Sequence, residues 1–238
     1  MAFSSSNDTV NCASGSVLIG TETVCWTSWG SEEGYRVLFL HGAGQANSER
    51  MSYLARFLAQ RGMHCVQFDH SGHGESSGTL SASSLSKRRA EAGVFLEMFK
   101  PRAIVASSMG GHTALQISAS YCLENLVLFA PAIFRDDSDN VQFGDQWSRL
   151  IREPNSFKSS NVPHEANLDE TNVLHIIGSL DQTIPDDVTQ IYRQICERSK
   201  SATFMTLIGG LHNLHDWLRE RGELREAVCK SIDSFVAR

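Results

Sequence analysis

The chain has no Cys-x-x-Cys pair, no apolar run long enough to span a bilayer and no excess of basic residues. Each absence removes a class of function. Cys12, Cys25, Cys65, Cys122, Cys196 and Cys229 are scattered, which fits free thiols in an intracellular protein and not a disulfide framework. The first sixteen residues are polar and rich in Ser and Asn, and lack the basic start and apolar stretch of a signal peptide. A cytoplasmic location is therefore expected, with residues 1–15 poorly ordered. A net charge of −6 argues against nucleic acid or an anionic membrane as partner. The one concentrated basic run, Lys87-Arg88-Arg89, reads as a solvated helix face. There is no Gly-x-Gly-x-x-Gly, no Walker-type lysine loop, no internal repeat and no low-complexity linker, so no nucleotide cofactor is implied.

What remains is a chain of 238 residues, 20% charged and 41% hydrophobic, which is ordinary globular composition and enough for one α/β domain over 1–238. Strand-like and helix-like segments alternate, as expected of a mainly parallel sheet covered on both faces. Val17–Ile19 and Thr23–Ser28 read as an opening hairpin at the sheet's edge. Strands are expected at Tyr35–Leu40, Met63–Phe68, Ala103–Ala106, Leu126–Ala130, Val173–Ile177 and Thr203–Leu207. Helices are expected at Ser48–Arg61, Leu85–Phe99, from the end of the 103–106 strand to about Tyr121, at Asp186–Arg198 and near Trp217–Val236. The rhythm breaks at 135–171, an acidic, polar stretch carrying Phe143, Trp147, Leu150, Ile151 and Phe157. It is longer than a connection between strands needs, and its aromatics favour a small helical cap over disorder.

The most informative stretch is Ile104-Val105-Ala106-Ser107-Ser108-Met109-Gly110-Gly111-His112. A β-branched run enters it, a small-residue helix start leaves it, and a serine stands at the corner. A nucleophile elbow has this pattern, and its crowded backbone demands small residues two before and two after the serine. Ser108 satisfies this with Ala106 and Gly110; Ser107 does not, because Val105 and Met109 would fill those places. Taken alone, the string also suits an ordinary helix N-cap serine.

A serine hydroxyl needs a base, and the base needs orienting. Asp181, directly after an apolar strand, is the acid candidate; Asp136 and Asp137 follow the preceding strand and compete. His212, after the last strand and the pair Gly209-Gly210, is the candidate base, with His215 its rival. The order Ser, Asp, His is that expected of an α/β-hydrolase. His212-x-x-His215-Asp216 could hold a metal, but no third and fourth ligand accompany it, so no metal site is assigned. His175, inside an apolar strand, reads as a core residue, and His64 and His164 carry no signal. An oxyanion would be met by the Met109 amide at the elbow and by that of Ala43 after the 35–40 strand, with His41-Gly42 shaping the loop.

Four segments together resemble the α/β-hydrolase superfamily from about Ser16 onward, most of all its serine aminopeptidase-like branch with the monoacylglycerol lipases and cinnamoyl-type esterases. They are His41-Gly42-Ala43-Gly44, the loop Asp69-x-x-Gly72-His73-Gly74-x-Ser76, the Ser108 elbow, and the Asp181 and His212 segments. The elbow departs from the usual pattern, with Ala106 in place of a first glycine. The resemblance implies an eight-stranded, mainly parallel sheet with a cap inserted after the sixth strand. It also implies that the 69–76 loop organises structure, so His70 and His73 are not taken as catalytic. The expectation is a serine hydrolase of small carboxylic esters, short-to-medium acyl or aryl, without cofactor, its substrate pocket including Phe143, Trp147 and Leu150. Thioesters, monoacylglycerols and carbon–carbon bonds suit the same chemistry, and a non-catalytic small-molecule receptor or scaffold suits the same fold.

Overall fold

A computed structural model describes residues 10–237. Its strands are β1 (Cys12–Ile19), β2 (Glu22–Trp29), β3 (Tyr35–Leu40), β4 (Met63–Phe68), β5 (Ala103–Ser107), β6 (Asn125–Phe129), β7 (Asn172–Gly178) and β8 (Ser201–Leu207). They form one sheet in the order β1-β2-β4-β3-β5-β6-β7-β8. From β4 to β8 every neighbouring pair is parallel, whereas β1 with β2 and β2 with β4 are antiparallel.

The opening hairpin is longer than expected. Cys12 to Ile19 pair residue for residue with Trp29 to Glu22. Residues 12–15 are thus strand and not poorly ordered: the small polar residues belong to an edge strand that is mostly exposed. Residues 1–9 of that expected segment lie outside the described residues.

The helices are α1 (Ser52–Ala59), α2 (Leu85–Phe99), α3 (Met109–Ser118), α4 (Asp145–Arg152), α5 (Val162–Glu165), α6 (Asp186–Cys196), α7 (Leu214–Arg219) and α8 (Gly222–Val236). Helix α2 starts where the Ser84 hydroxyl accepts the Lys87 N–H at 3.2 Å, and ends at Lys100, whose left-handed φ of 44° precedes Pro101. The helix expected from Ser48 opens as a 3-10 turn, Ser48–Met51, before α1. The single closing helix expected near 217–236 is two, α7 and α8. No residue between Leu218 and Val228 is buried, so no packing holds a continuous helix through Gly222.

Alternate residues of the central strands face opposite cores. Leu38, Leu40, Ile104, Ala106, Leu126 and Leu128 pack against α2, α3 and α6. Val37, Phe39, Ala103, Val105, Val127 and Phe129 pack against α1, α7 and α8. Both faces of these strands are dry, which is why they read as continuous apolar runs. Between β6 and β7 the chain passes through short helical turns at Asp136–Ser138 and Ser156–Ser159 and through α4 and α5. Phe143 and Trp147 of this stretch form a third, small apolar cluster with Leu85 and Met109, at the N-terminal end of α3. Among the described residues no helix is long and apolar enough to cross a membrane.

Candidate active site

Ser108 stands alone between the end of β5 and the start of α3, with φ 52° and ψ −114°. A side chain in that region of the backbone costs about 1–3 kcal/mol and persists only where its surroundings hold it. Here the Ser108 N–H donates to the Phe129 carbonyl at 2.9 Å, and the Ser108 carbonyl accepts from Gly111 at 2.9 Å and Ala132 at 3.0 Å. The requirement for small neighbours is physical. A Cβ at Gly110 would sit 2.4 Å from the Leu40 carbonyl oxygen, and Ala106 is wholly buried between Leu40 and Leu128 on the adjoining strands.

The parallel strands β7 and β8 release their loops at the same edge of the sheet. Asp181 follows β7 and His212 follows β8, and the two loops are joined by Leu180 N–H donating to the Gly210 carbonyl at 2.9 Å. Ser108 Oγ lies 3.0 Å from His212 Nε2, and His212 Nδ1 lies 2.9 Å from Asp181 Oδ2. The carboxylate holds the proton on Nδ1, which leaves the Nε2 lone pair to accept from the serine hydroxyl. Burial pushes the Asp181 carboxyl upward, but the His212 ring and the Thr183 and Ile184 amides outweigh it and hold it below the ordinary value. It therefore stays ionised.

The rival residues are occupied elsewhere. Asp136 accepts the Asn161 N–H at 2.9 Å, and Asp137 pairs with Arg135. His215 is buried, its Nδ1 3.1 Å from the Tyr53 hydroxyl, and burial first, then Arg219 and Arg50, pull its pKa down to about 3. His175 is a core residue stacked on Tyr192. His64 sits in β4 edge-on to Phe99, and His164 is exposed on α5.

Neither the Ala43 nor the Met109 amide has a hydrogen-bond partner among the described residues. Both border a cavity of about 510 Å³ that also contains Ser108 and His212. Its apolar wall includes Met51, Ile133, Phe134, Trp147, Ile151, Phe157 and Val188. A second cavity, of about 490 Å³, shares Ala43, Gly44, Met109 and Trp147 with the first and adds Phe143. Of the expected pocket residues, Trp147 thus borders both cavities and Phe143 the second. Leu150 lines neither: on α4 it is Trp147 and Ile151, one turn apart, that share the cavity-facing side.

Beneath the Ala43 loop lies a buried polar cluster that corrects the reading of Lys87-Arg88-Arg89. Only Lys87 and Arg89 face outward, pairing with Glu22 and Asp139. Arg88 is 0% exposed. It donates through Nη1 to the Gly42 carbonyl at 3.0 Å and through Nη2 to His73 Nε2 at 2.9 Å. His41 Nδ1 donates to the same Gly42 carbonyl at 2.8 Å, and His41 Nε2 accepts the His70 N–H at 3.1 Å. Desolvation above all, then Arg88, lowers the pKa of His41, His70 and His73, so these rings are neutral. The signal for Arg88 was present in the chain: it lies three residues after Leu85 and seven before Phe95, on the stripe that α2 buries.

A family model described as serine aminopeptidase, S33, matches residues 32–156. No curated protein matches the chain. Among solved structures, the ferulic acid complex of Est1E from Butyrivibrio proteoclasticus is similar at a TM-score of 0.72 and 15% identity, over 94% of this chain and 98% of that one. The thioesterase domain of the curacin biosynthetic pathway is similar at a TM-score of 0.68 and 16% identity, over 96% and 100%. CarC, a serine hydrolase of carbazole degradation, is similar at 0.67 and 17%, over 95% and 99%. At such identities the likeness establishes the fold, and the family match adds descent: the chain belongs to the serine aminopeptidase family of α/β-hydrolases.

Proposed function

We propose that this protein is a serine hydrolase that cleaves small carboxylic esters, with Ser108 as nucleophile, His212 as general base and Asp181 as its orienting acid. The observation that carries the reading is the continuous chain Ser108 Oγ, His212 Nε2, His212 Nδ1, Asp181 Oδ2, with links of 3.0 and 2.9 Å, opening into a cavity beside two unpartnered amides. His212 takes the hydroxyl proton as Oγ attacks the acyl carbonyl, and the carbonyl's π pair moves onto its oxygen. The Ala43 and Met109 N–H groups receive that oxyanion. As the tetrahedral adduct collapses, His212 returns the proton to the departing alkoxide. A water, deprotonated by the same ring, then releases the acid and frees Ser108.

An ester is favoured over a peptide with a free amino terminus by the charges at the cavity. Among the described residues the only carboxylate that lines it is Asp216, which already pairs with Arg50 at 3.5 Å and with Arg219. Among the described residues no unpaired lining carboxylate is left to receive a substrate amine, whereas Arg50 and Arg152 border the same space. In this reading the stretch 135–171 is a cap, and α4 lends Trp147 and Ile151 to the acyl or aryl pocket. Six unpaired cysteines fit a reducing, cytoplasmic compartment.

The test is hydrolysis of a p-nitrophenyl ester series from acetate to dodecanoate. Turnover should peak at short-to-medium chains and fall about 10⁴–10⁶-fold in Ser108→Ala and in His212→Ala. A loss of under about tenfold in His212→Ala contradicts the assignment of the base.

A further inference from the structure

Arg88 makes no ion pair among the described residues, although its side chain is wholly buried. Its Nε has no hydrogen-bond partner either. Burying a guanidinium in this state is costly, and an apolar side chain of similar volume would fill the space without that cost. The buried Glu91 carboxylate and the Phe143 ring favour the charge from nearby, one arm of the fork takes His73 Nε2, and the other is directed at a peptide group. Nη1 donates to the Gly42 carbonyl at 3.0 Å, with the His41 carbonyl at the longer distance of 3.5 Å.

That peptide is the one whose other end is the Ala43 N–H. A trans peptide is planar, with its C=O and N–H pointing in opposite directions. Two donors on the Gly42 oxygen, Arg88 Nη1 and His41 Nδ1, fix the plane and so fix the direction of the Ala43 N–H. The residue carrying the carbonyl is pressed against the nucleophile: a Cβ at Gly42 would lie 3.3 Å from Ser108 Cβ. A cation on the carbonyl oxygen also draws electron density from the amide nitrogen, which strengthens its N–H as a donor.

Resting on the proposed hydrolysis at Ser108, we propose that Arg88 is a positioning residue for the oxyanion site, holding and polarising the Gly42–Ala43 peptide from behind. Its action runs through that peptide, although its side chain also borders the second cavity beside Phe143. Its second arm, Nη2 to His73 Nε2, anchors the fork to the Asp69–Ser76 loop, so that loop and α2 together set the donor's aim.

The test compares p-nitrophenyl butyrate with its thionoester, in which C=S replaces C=O. Sulfur is larger and a weaker acceptor, so a well-aimed oxyanion donor discriminates against it. The ratio of kcat/KM values does not depend on how much of the protein is folded, which separates aiming from stability. In Arg88→Met, kcat for the ester should fall about 10–100-fold with KM within about threefold, and the ester-to-thionoester ratio should fall about tenfold. Arg88→Lys keeps the charge but not the fork, and its ratio should lie between the two. It carries the test if Arg88→Met does not fold. A wild-type ratio in either variant, whatever the activity, overturns the proposal and leaves Arg88 a structural residue. Wild-type turnover in Ser108→Ala overturns the hydrolase reading itself, a separate failure visible in the same assay.

Discussion

Asp181 divides its carboxylate between His212 and its own loop: Oδ2 lies 2.9 Å from His212 Nδ1, and Oδ1 accepts the Thr183 and Ile184 amides at 2.8 and 3.1 Å. Every partner is a donor, so the site requires a group that only accepts. In Asp181→Asn the new NH2 must face either the imidazole N–H or the loop amides. If it faces the ring, the imidazole must switch tautomer and present a proton, not a lone pair, to Ser108. A kcat lower by about 10²–10⁴ is expected, with KM little changed. Steady-state kinetics on a p-nitrophenyl ester checks this, and a kcat within threefold of wild type would contradict the assigned role of Asp181.

The buried histidines make stability fall in mild acid. Burial, the largest influence on each, lowers the pKa of His112 and His175 to about 4 and of His215 to about 3. In the unfolded chain they titrate near ~6.5. Between these values the unfolded state binds more protons, so stability rises with pH, and it is lost as pH drops from about 6.5 toward 4. The urea midpoint should fall steadily across that window. His175→Phe should flatten the fall, because the ring stacks on Tyr192 and its Nε2 has no partner to lose. A midpoint independent of pH between 7 and 4.5 would refute this account.

Two glycines near the nucleophile should differ in kind. At Gly110 an added Cβ meets backbone, the Leu40 carbonyl oxygen, at 2.4 Å, and neither strand nor helix can yield cheaply. Gly110→Ala is expected to cost about 1–3 kcal/mol of stability, read from urea unfolding. At Gly42 the added Cβ reaches Ser108 Cβ at 3.3 Å, a contact that a small shift relieves. Gly42→Ala should keep most of its stability and lose activity, since the shift moves the Ala43 N–H and the Ser108 hydroxyl apart.

Much of this was legible in the chain, for identifiable reasons. The strands at 35–40 and 63–68 and the helix at 85–99 have the bounds expected, because apolar runs, a capping serine and a proline mark their ends. The elbow was readable because its geometry restricts residue size at positions 106 and 110, and size is written in sequence. Asp181 and His212 were already preferred to Asp136 and His215 from their places after the last two strands, and the fold brings Asp181 to His212 and His212 to Ser108. Arg88 was misread because the side of a helix a residue faces, and not its charge, decides whether it is buried. Three consecutive basic residues on a helix point in three directions, and Arg88 is the one that falls on the buried stripe with Leu85, Ala92 and Phe95. Its partners are backbone carbonyls and a histidine, which leave no charge pattern to detect. Leu150 borders neither cavity because, of the adjacent apolar pair Leu150-Ile151 on α4, only Ile151 lies one turn from Trp147 on the side that faces the cavity.

The central claim is that Ser108 is an activated nucleophile, and intact-mass spectrometry after incubation with a fluorophosphonate tests it most directly. The expected result is one adduct per chain on the wild type and none on Ser108→Ala. A folded wild type that takes up no adduct, or an adduct that survives Ser108→Ala, would contradict it.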